Sequence, residues 1–320
     1  VVSAAPDGTV REATSADGLA ATLAEARRQD GSVWIDLQAA TPAEVSAVAA
    51  ALGLHPLLVE DISERNQRSK IEQFDGVIHL VLFAIAFPGE VEAMEVDLVL
   101  GDVFLLTVHD PGWDPLVSEH LRMGVGGVLG KGPDFLLYVL ADTIVDGYFP
   151  VLDRLADEID ELQDQLVMAE PSSWALQRLF TLKRELIELR RASSPTREIF
   201  NQLTNRELGQ VDAAHVIYFR DVYDHLIRVT DELDNYREMV AGSLDIYLTS
   251  VNNNLSVIMK RLTGVTVILA GIGAVAGIFG MSEATPSFAG AEGPGFWLVS
   301  LVVLVGALAV AVVLRRIDWI

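Results

Sequence analysis

The residues best suited to hold a cation lie between Val211 and Gly280. Asp221 and His225 stand four positions apart, so a helix puts both on one face. Asp224, Asp231, Asp234, Glu238 and Asp245 continue the acidic character. Asn252, Asn253, Asn254 and Ser256 follow, polar but uncharged, one to two turns before Lys260. Amides and hydroxyls can hold a hydrated ion through its waters, which suits Mg2+ because that ion dehydrates reluctantly. A solvated helix face would carry the same residues, and spacing alone leaves both readings open.

The element that positions them reads as one long helix. No proline occurs between Pro195 and Pro286, and the chain is helix-compatible almost without break from Val211 to Gly280. Its last part is apolar. Leu262–Met281 and Phe296–Leu314 hold no charged residue, and each is long enough to span a bilayer core of ~30 Å. Lys260 and Arg261 precede the first run and Arg315 and Arg316 follow the second, while the loop 282–295 holds Glu283 and Glu292 and no base. Positive flanks stay inside, so both termini are expected in the cytoplasm and the loop outside. Two spans cannot enclose a pore alone, so conduction would need several copies around an axis, with Glu283 or Glu292 as a ring of acids at the outer mouth.

Composition narrows the classes. The formal net charge is −22, a surface that repels nucleic acid and attracts cations. There is no cysteine, hence no disulfide, thiolate metal site or Cys nucleophile. The opening residues are polar without a signal-peptide pattern, and the start at Val1 rather than Met leaves room for upstream residues. No nucleophile–base pair or H-E-x-x-H motif occurs, so an enzyme is the reading least supported. His55, His79, His109 and His120 are read as structural rather than as ligands. Gly271-Ile-Gly-Ala-Val-Ala276 fits a dinucleotide fingerprint, but it sits inside a span with no strand before it. Gly273 and Gly277 read better as small-residue helix packing.

Upstream, Val33–Leu37 reads as a strand. Thr41-Pro42-Ala43-Glu44 is a capping box before a helix Ala43–Leu52 that should stop at Gly53. His55-Pro56 opens a second short helix holding Glu60 and Asp61. Val77–Phe87, Met94–Leu100 and Val103–Val108 are strand-like, the last two joined as a hairpin through Gly101-Asp102. Beyond Trp113 the pattern is helical. Pro133-Asp134 should start a long helix carrying Tyr138, Tyr148 and Phe149, whose acidic end turns at Pro171 into an antiparallel partner, Leu176–Arg191, with Leu176, Leu179, Leu182, Leu186 and Leu189 on one stripe.

The whole pattern resembles the CorA family of divalent cation channels. His55-Pro-Leu-Leu-Val-Glu-Asp61 followed by Gln67-Arg-Ser-Lys-Ile-Glu72 is similar to that family's HPL-x-x-ED and QRPK-x-E stretches, with Ser69 in place of the proline. Tyr218-Phe-Arg-Asp-Val-Tyr-Asp-His225, Leu244-Asp-Ile-Tyr-Leu248, Met259-Lys-Arg-Leu-Thr263 and Ala276-Gly-Ile-Phe-Gly-Met281 match further segments. The resemblance implies an α+β membrane protein assembled as a homopentamer in the cytoplasmic membrane. It would have a cytoplasmic α/β domain (1–132), a helical hairpin and stalk (133–261) and two transmembrane helices (262–320).

It further implies passive transport of Mg2+ or another divalent cation, with the first span lining the pore. Regulatory Mg2+ would be held by Asp61 and Asp221 at one site, with Glu60, Asp142 and His225 near a second. Met259 and Leu262 match the hydrophobic gate. The pore departs from the pattern. Gly280-Met281-Ser282 stands for Gly-Met-Asn, Ser256 for an inner Asn, Gly273 for a Thr and Gly271 for a proline, and the loop lacks Met-Pro-Glu-Leu. Ser offers one short hydroxyl where Asn offers a carbonyl and an amide. The alternatives are altered selectivity, for Zn2+, Co2+ or Ni2+, and a non-conducting metal sensor of the same fold.

Overall fold

The structure, a computed structural model, describes residues 1–5, 9–13, 18–65, 67–168, 172–205, 208–280 and 295–316. It divides into two compact units: 1–165 with 173–243, and 166–172 with 244–320.

The first unit is built on a seven-stranded sheet. Its strands are β1 (Val2–Ala4), β2 (Val10–Glu12), β3 (Ser32–Gln38), β4 (Lys70–Phe74), β5 (Val77–Ala86), β6 (Glu92–Leu100) and β7 (Phe104–His109). The spatial order is β2-β1-β3-β7-β6-β5-β4, parallel only between β3 and β7. β7 is buried throughout, as a central strand covered on both faces must be. The β6–β7 hairpin turns where expected: Gly101 N–H donates to the Phe104 carbonyl at 2.9 Å. A Cβ at Gly101 would lie 2.3 Å from the Phe104 ring, so a larger residue there would have to displace that buried ring.

Helices cover both faces. On one, α1 (Leu19–Gln29), α2 (Pro42–Leu52) and α3 (Pro56–Glu64) bury Leu23, Val48, Leu58 and Ile62 against Val33, Ile35 and Leu106. The Thr41/Glu44 capping box starts α2 and Gly53, at φ 68°, ends it. His55 caps α3, its Nδ1 accepting from Leu57 N–H at 3.2 Å. On the other face lie α4 (Glu119–Leu129), α5 (Pro133–Asp146) and α7 (Ser173–Asn205). The strands β1, β2 and β4 and the helix α1 were not among the elements expected from the sequence. The first two are three residues each, too short for a period to show, and β4 (KIEQF) has no clean alternation.

Two helices differ from their expected bounds. The helix opening at Pro133 breaks at Gly147, and α6 (Tyr148–Met168) resumes after it. Pro150 has no N–H for the Asp146 carbonyl and its ring crowds that position, which accounts for the break. Conversely, α7 runs through Pro195 to Asn205 rather than ending near Arg191. Beside the lost bond, the hydroxyls of Thr196 and of Ser69 both donate to the Ala192 carbonyl, at 2.7 and 3.3 Å. Ser69, the residue that departs from the family stretch, thereby ties β4 to α7. In α7, Leu179, Leu182, Leu186 and Leu189 are buried and Leu176 half-buried.

The helix α8 runs Val216–Gly280, close to the expected bounds. Its first part buries Phe219, Val222, Leu226, Val229 and Leu233, alternating steps of three and four. Burying each contributes roughly 1.5–3 kcal/mol. In the second unit α8 exposes Leu255, Ile258, Val265, Leu269 and Ile278, and α9 (Gly295–Arg316) exposes Leu301, Leu304, Val305 and Leu308. Among the described residues, Pro133–Val167 and Val216–Ile278 are long and apolar enough to cross a membrane. The most apolar part of the first is mostly buried and that of the second almost wholly exposed. Val216–Ile278 therefore fits a span and Pro133–Val167 a core.

Candidate metal centre

Two helices of the first unit bring their acids face to face. Asp134, near the start of α5, accepts from Asp212 N–H at 2.9 Å and pairs with His215 Nδ1 at 2.7 Å, just ahead of α8. Phe135, Tyr138 and Tyr218 pack beside it in tilted and edge-to-face contacts, with centroids 5.1–5.4 Å apart. These contacts set the register of α8 on α5. Two turns on, Asp142 and Asp146 of α5 meet Asp221 and His225 of α8, each pair at i, i+4 spacing. Ligand atoms of Asp142, Asp221 and His225 all lie within 4.8 Å of one another. His225 Nδ1 is 3.4 Å from Asp146 and 3.9 Å from Asp142.

The electrostatics are those of a cation site. Burial, and then the Asp146 charge, push the Asp142 carboxyl up to about 6, with His225 partly opposing. The Tyr138 phenol is pushed up to about 12 by burial, then by Asp142 and Asp221. Asp142 Oδ1 and His225 Nδ1 are buried atoms with no hydrogen-bond partner. Three acids and an imidazole facing one another, two of their atoms unsatisfied, fit a divalent ion: it would neutralise the carboxylates and take up those lone pairs.

The residues expected to share regulatory ions fall in two places. Asp221, Asp142 and His225 come together; Asp61 does not join them within one chain. Asp61 ion-pairs with Lys70 at 2.5 Å, and Lys70 reaches Glu72 at 2.8 Å. Glu60 is exposed. Asp146 and Lys70 were missed. Asp146 is recoverable from its i+4 spacing to Asp142, whereas nothing in the Gln67–Glu72 stretch states that its Lys70 pairs with Asp61 of the preceding helix.

A family model described as "CorA-like Mg2+ transporter protein" matches residues 29–316. The chain belongs to this family. Its members are transporters of Mg2+ and related divalent cations, not enzymes. The chain is 36% identical over 256 residues to the cobalt/magnesium transport protein CorA of Thermotoga maritima, covering 78% of this chain and 72% of that one. It is 24% identical over 291 residues to the CorA protein of Methanocaldococcus jannaschii. The solved CorA magnesium transporter structure from that organism superposes with a TM-score of 0.78 over 90% of this chain and 91% of that one. The fold is therefore CorA-like.

The positions that resemble CorA pore elements lie on α8. Asp245, Asn252, Ser256, Met259, Leu262 and Gly273 follow one face, within about a third of the helix circumference at ~100° per residue. Asn253 falls to the side of that stripe. All seven are exposed. Ser256 Oγ donates to the Asn252 carbonyl at 2.9 Å. Gly280 ends α8. Met281, Ser282, Glu283 and Glu292 lie outside the described residues.

Proposed function

We propose that this chain conducts divalent cations, Mg2+ first among them, passively across the cytoplasmic membrane through a pore formed by five copies. Both termini lie in the cytoplasm, with the loop 282–295 outside. The domains are the cytoplasmic α/β part (1–132), the helical hairpin and stalk (133–261) and the transmembrane pair (262–320). The carrying observation is that a single helix, α8, holds both Asp221 and His225 of the acidic cluster and the exposed apolar run with its polar stripe.

The stripe supplies the parts a hydrated ion needs. Asn252 and Ser256 offer oxygens to its water shell, and Met259 and Leu262 form a ring of apolar side chains that stops conduction by excluding water. No charged residue lies in Leu262–Met281, which supports a pore rather than a charged carrier site. Gly280-Met281-Ser282 and the acids Glu283 and Glu292 stand at the outer mouth. Asp61, Glu60, Asp142, Asp221 and His225 hold regulatory Mg2+. A bound ion supplies charge neutralisation there. Without it the acids repel, and the population moves from closed to open.

The Ser282 departure favours a second reading, a channel of changed selectivity. Flux of Mg2+, Co2+ and Zn2+ into proteoliposomes, for wild type and Ser282→Asn, separates the two. Mg2+ entry by the wild type supports the first. Entry of Co2+ or Zn2+ without Mg2+, reversed by Ser282→Asn, supports the second. No flux of any ion by the folded oligomer contradicts both.

A further inference from the structure

A second group of ligands lies on the sheet, apart from the α5–α8 cluster. Glu72 of β4 and His79 of β5 are direct partners in the antiparallel register, so their side chains leave the same face. Asp61 of α3 reaches the same spot, and one ligand atom from each of the three lies within 4.8 Å of the others. His79 is fully buried, and its Nε2 lies 2.8 Å from Asp97 Oδ1, which is also fully buried. With Nε2–H donating to Asp97, Nδ1 is left as a lone-pair donor, and it has no hydrogen-bond partner. A carboxylate behind an imidazole is the arrangement that orients a metal-binding histidine and raises its basicity.

A cation already sits between the two acids. The Lys70 ammonium lies 2.5 Å from Asp61 and 2.8 Å from Glu72. We propose that Asp61, Glu72 and His79 form a divalent-metal site within one chain, of the carboxylate-and-imidazole kind that takes Zn2+, Co2+ or Ni2+, with Lys70 as the tethered cation such an ion displaces. An imidazole with two carboxylates ranks these ions above Mg2+, which prefers oxygen ligands and keeps its waters. Bonds of ~2.0–2.2 Å place neighbouring ligands about 3–3.5 Å apart, so the side chains close by an ångström or so once the ammonium swings away. The sheet register fixes Glu72 and His79, and α3 brings Asp61. Asp61 is thereby shared between this site and the regulatory pairing proposed with Asp221, so an ion here competes for the same carboxylate.

The test is Co2+ binding to the purified full-length protein in detergent with Mg2+ in excess, followed by dialysis and by the visible band of nitrogen-ligated Co2+. Beside any Co2+ taken by the imidazole and acids of the α5–α8 cluster, one Glu72-dependent Co2+ per chain, displaced by Zn2+, is expected. Lys70→Met should tighten it at least tenfold, and Glu72→Gln should weaken it at least tenfold. Asp97→Asn should weaken it 10- to 100-fold. His79→Gln should abolish its nitrogen signature. Because His79 is a core residue, the half-exposed Glu72 provides the variant that leaves packing intact. Asp221→Ala should leave the Glu72-dependent Co2+ in place and remove only Co2+ held at the α5–α8 cluster, which separates the two sites. Co2+ affinity that ignores both Lys70→Met and Glu72→Gln, or that falls only with Asp221→Ala, overturns the proposal.

Discussion

At Asp142 burial and a neighbouring acid act in the same direction, and His225 across the interface only partly opposes them. An ion that relieves this strain stabilises the fold by mass action, by about 2.7 kcal/mol at a hundred times its dissociation constant. Asp221→Ala should therefore lose most of the Mg2+-induced rise in melting temperature seen for the wild type; an undiminished rise would place the ion elsewhere. Glu95 allows a separate test. Burial, then Asp97, raise its carboxyl from 4.5 to about 7. A group raised in this way contributes stability fully below its unfolded value and loses it as pH rises through the folded value. Glu95→Gln should thus raise the melting temperature at pH 8 by roughly 2–4 °C, the size of a 1 kcal/mol effect in a domain this large, and change little at pH 4.5. Thermal scans at the two pH values check it. The Asp221 and His225 pairing was legible because it is local to one helix. Its meeting with Asp142 and Asp146 depends on how α8 lies on α5, which no spacing within either helix states.

Among the elements, those with a chemical start or stop were legible. Thr41 and Glu44 open α2, Gly53 closes it, His55-Pro56 opens α3, and α8 needed only a long absence of proline. Elements held by tertiary contact were not. Pro195 lies inside α7, whose neighbouring carbonyl is served by Ser69 from a different part of the chain. The α6–α7 pair carries its own prediction. Arg178 of α7 ion-pairs with Glu158 of α6 and lies 3.6 Å from Glu185, which is only 2% exposed. Burial pushes the Glu185 carboxyl up and Arg178 opposes it. Arg178→Ala leaves that acid without its counter-ion and should cost about 1–3 kcal/mol. Urea unfolding should show the loss, and Glu185→Gln in the same background should recover part of it.

On the scale of the whole molecule, the chain combines a strongly acidic first unit with a second unit of exposed apolar helices. The sequence displayed both, one through net charge and the other through two runs without charge. It also displayed the altered residues Gly271, Gly273, Ser256 and Ser282, whose effect on selectivity depends on the pore that several copies build. The claim that unites the two units is that metal at the α5–α8 cluster controls conduction through the stripe on α8. The measurement that tests it most directly is Mg2+ flux through reconstituted protein as Mg2+ on the cytoplasmic side is stepped upward. The wild type should slow as that side fills, while Asp221→Ala with His225→Ala should keep conducting at concentrations that close the wild type. Equal closure of both proteins would contradict the account.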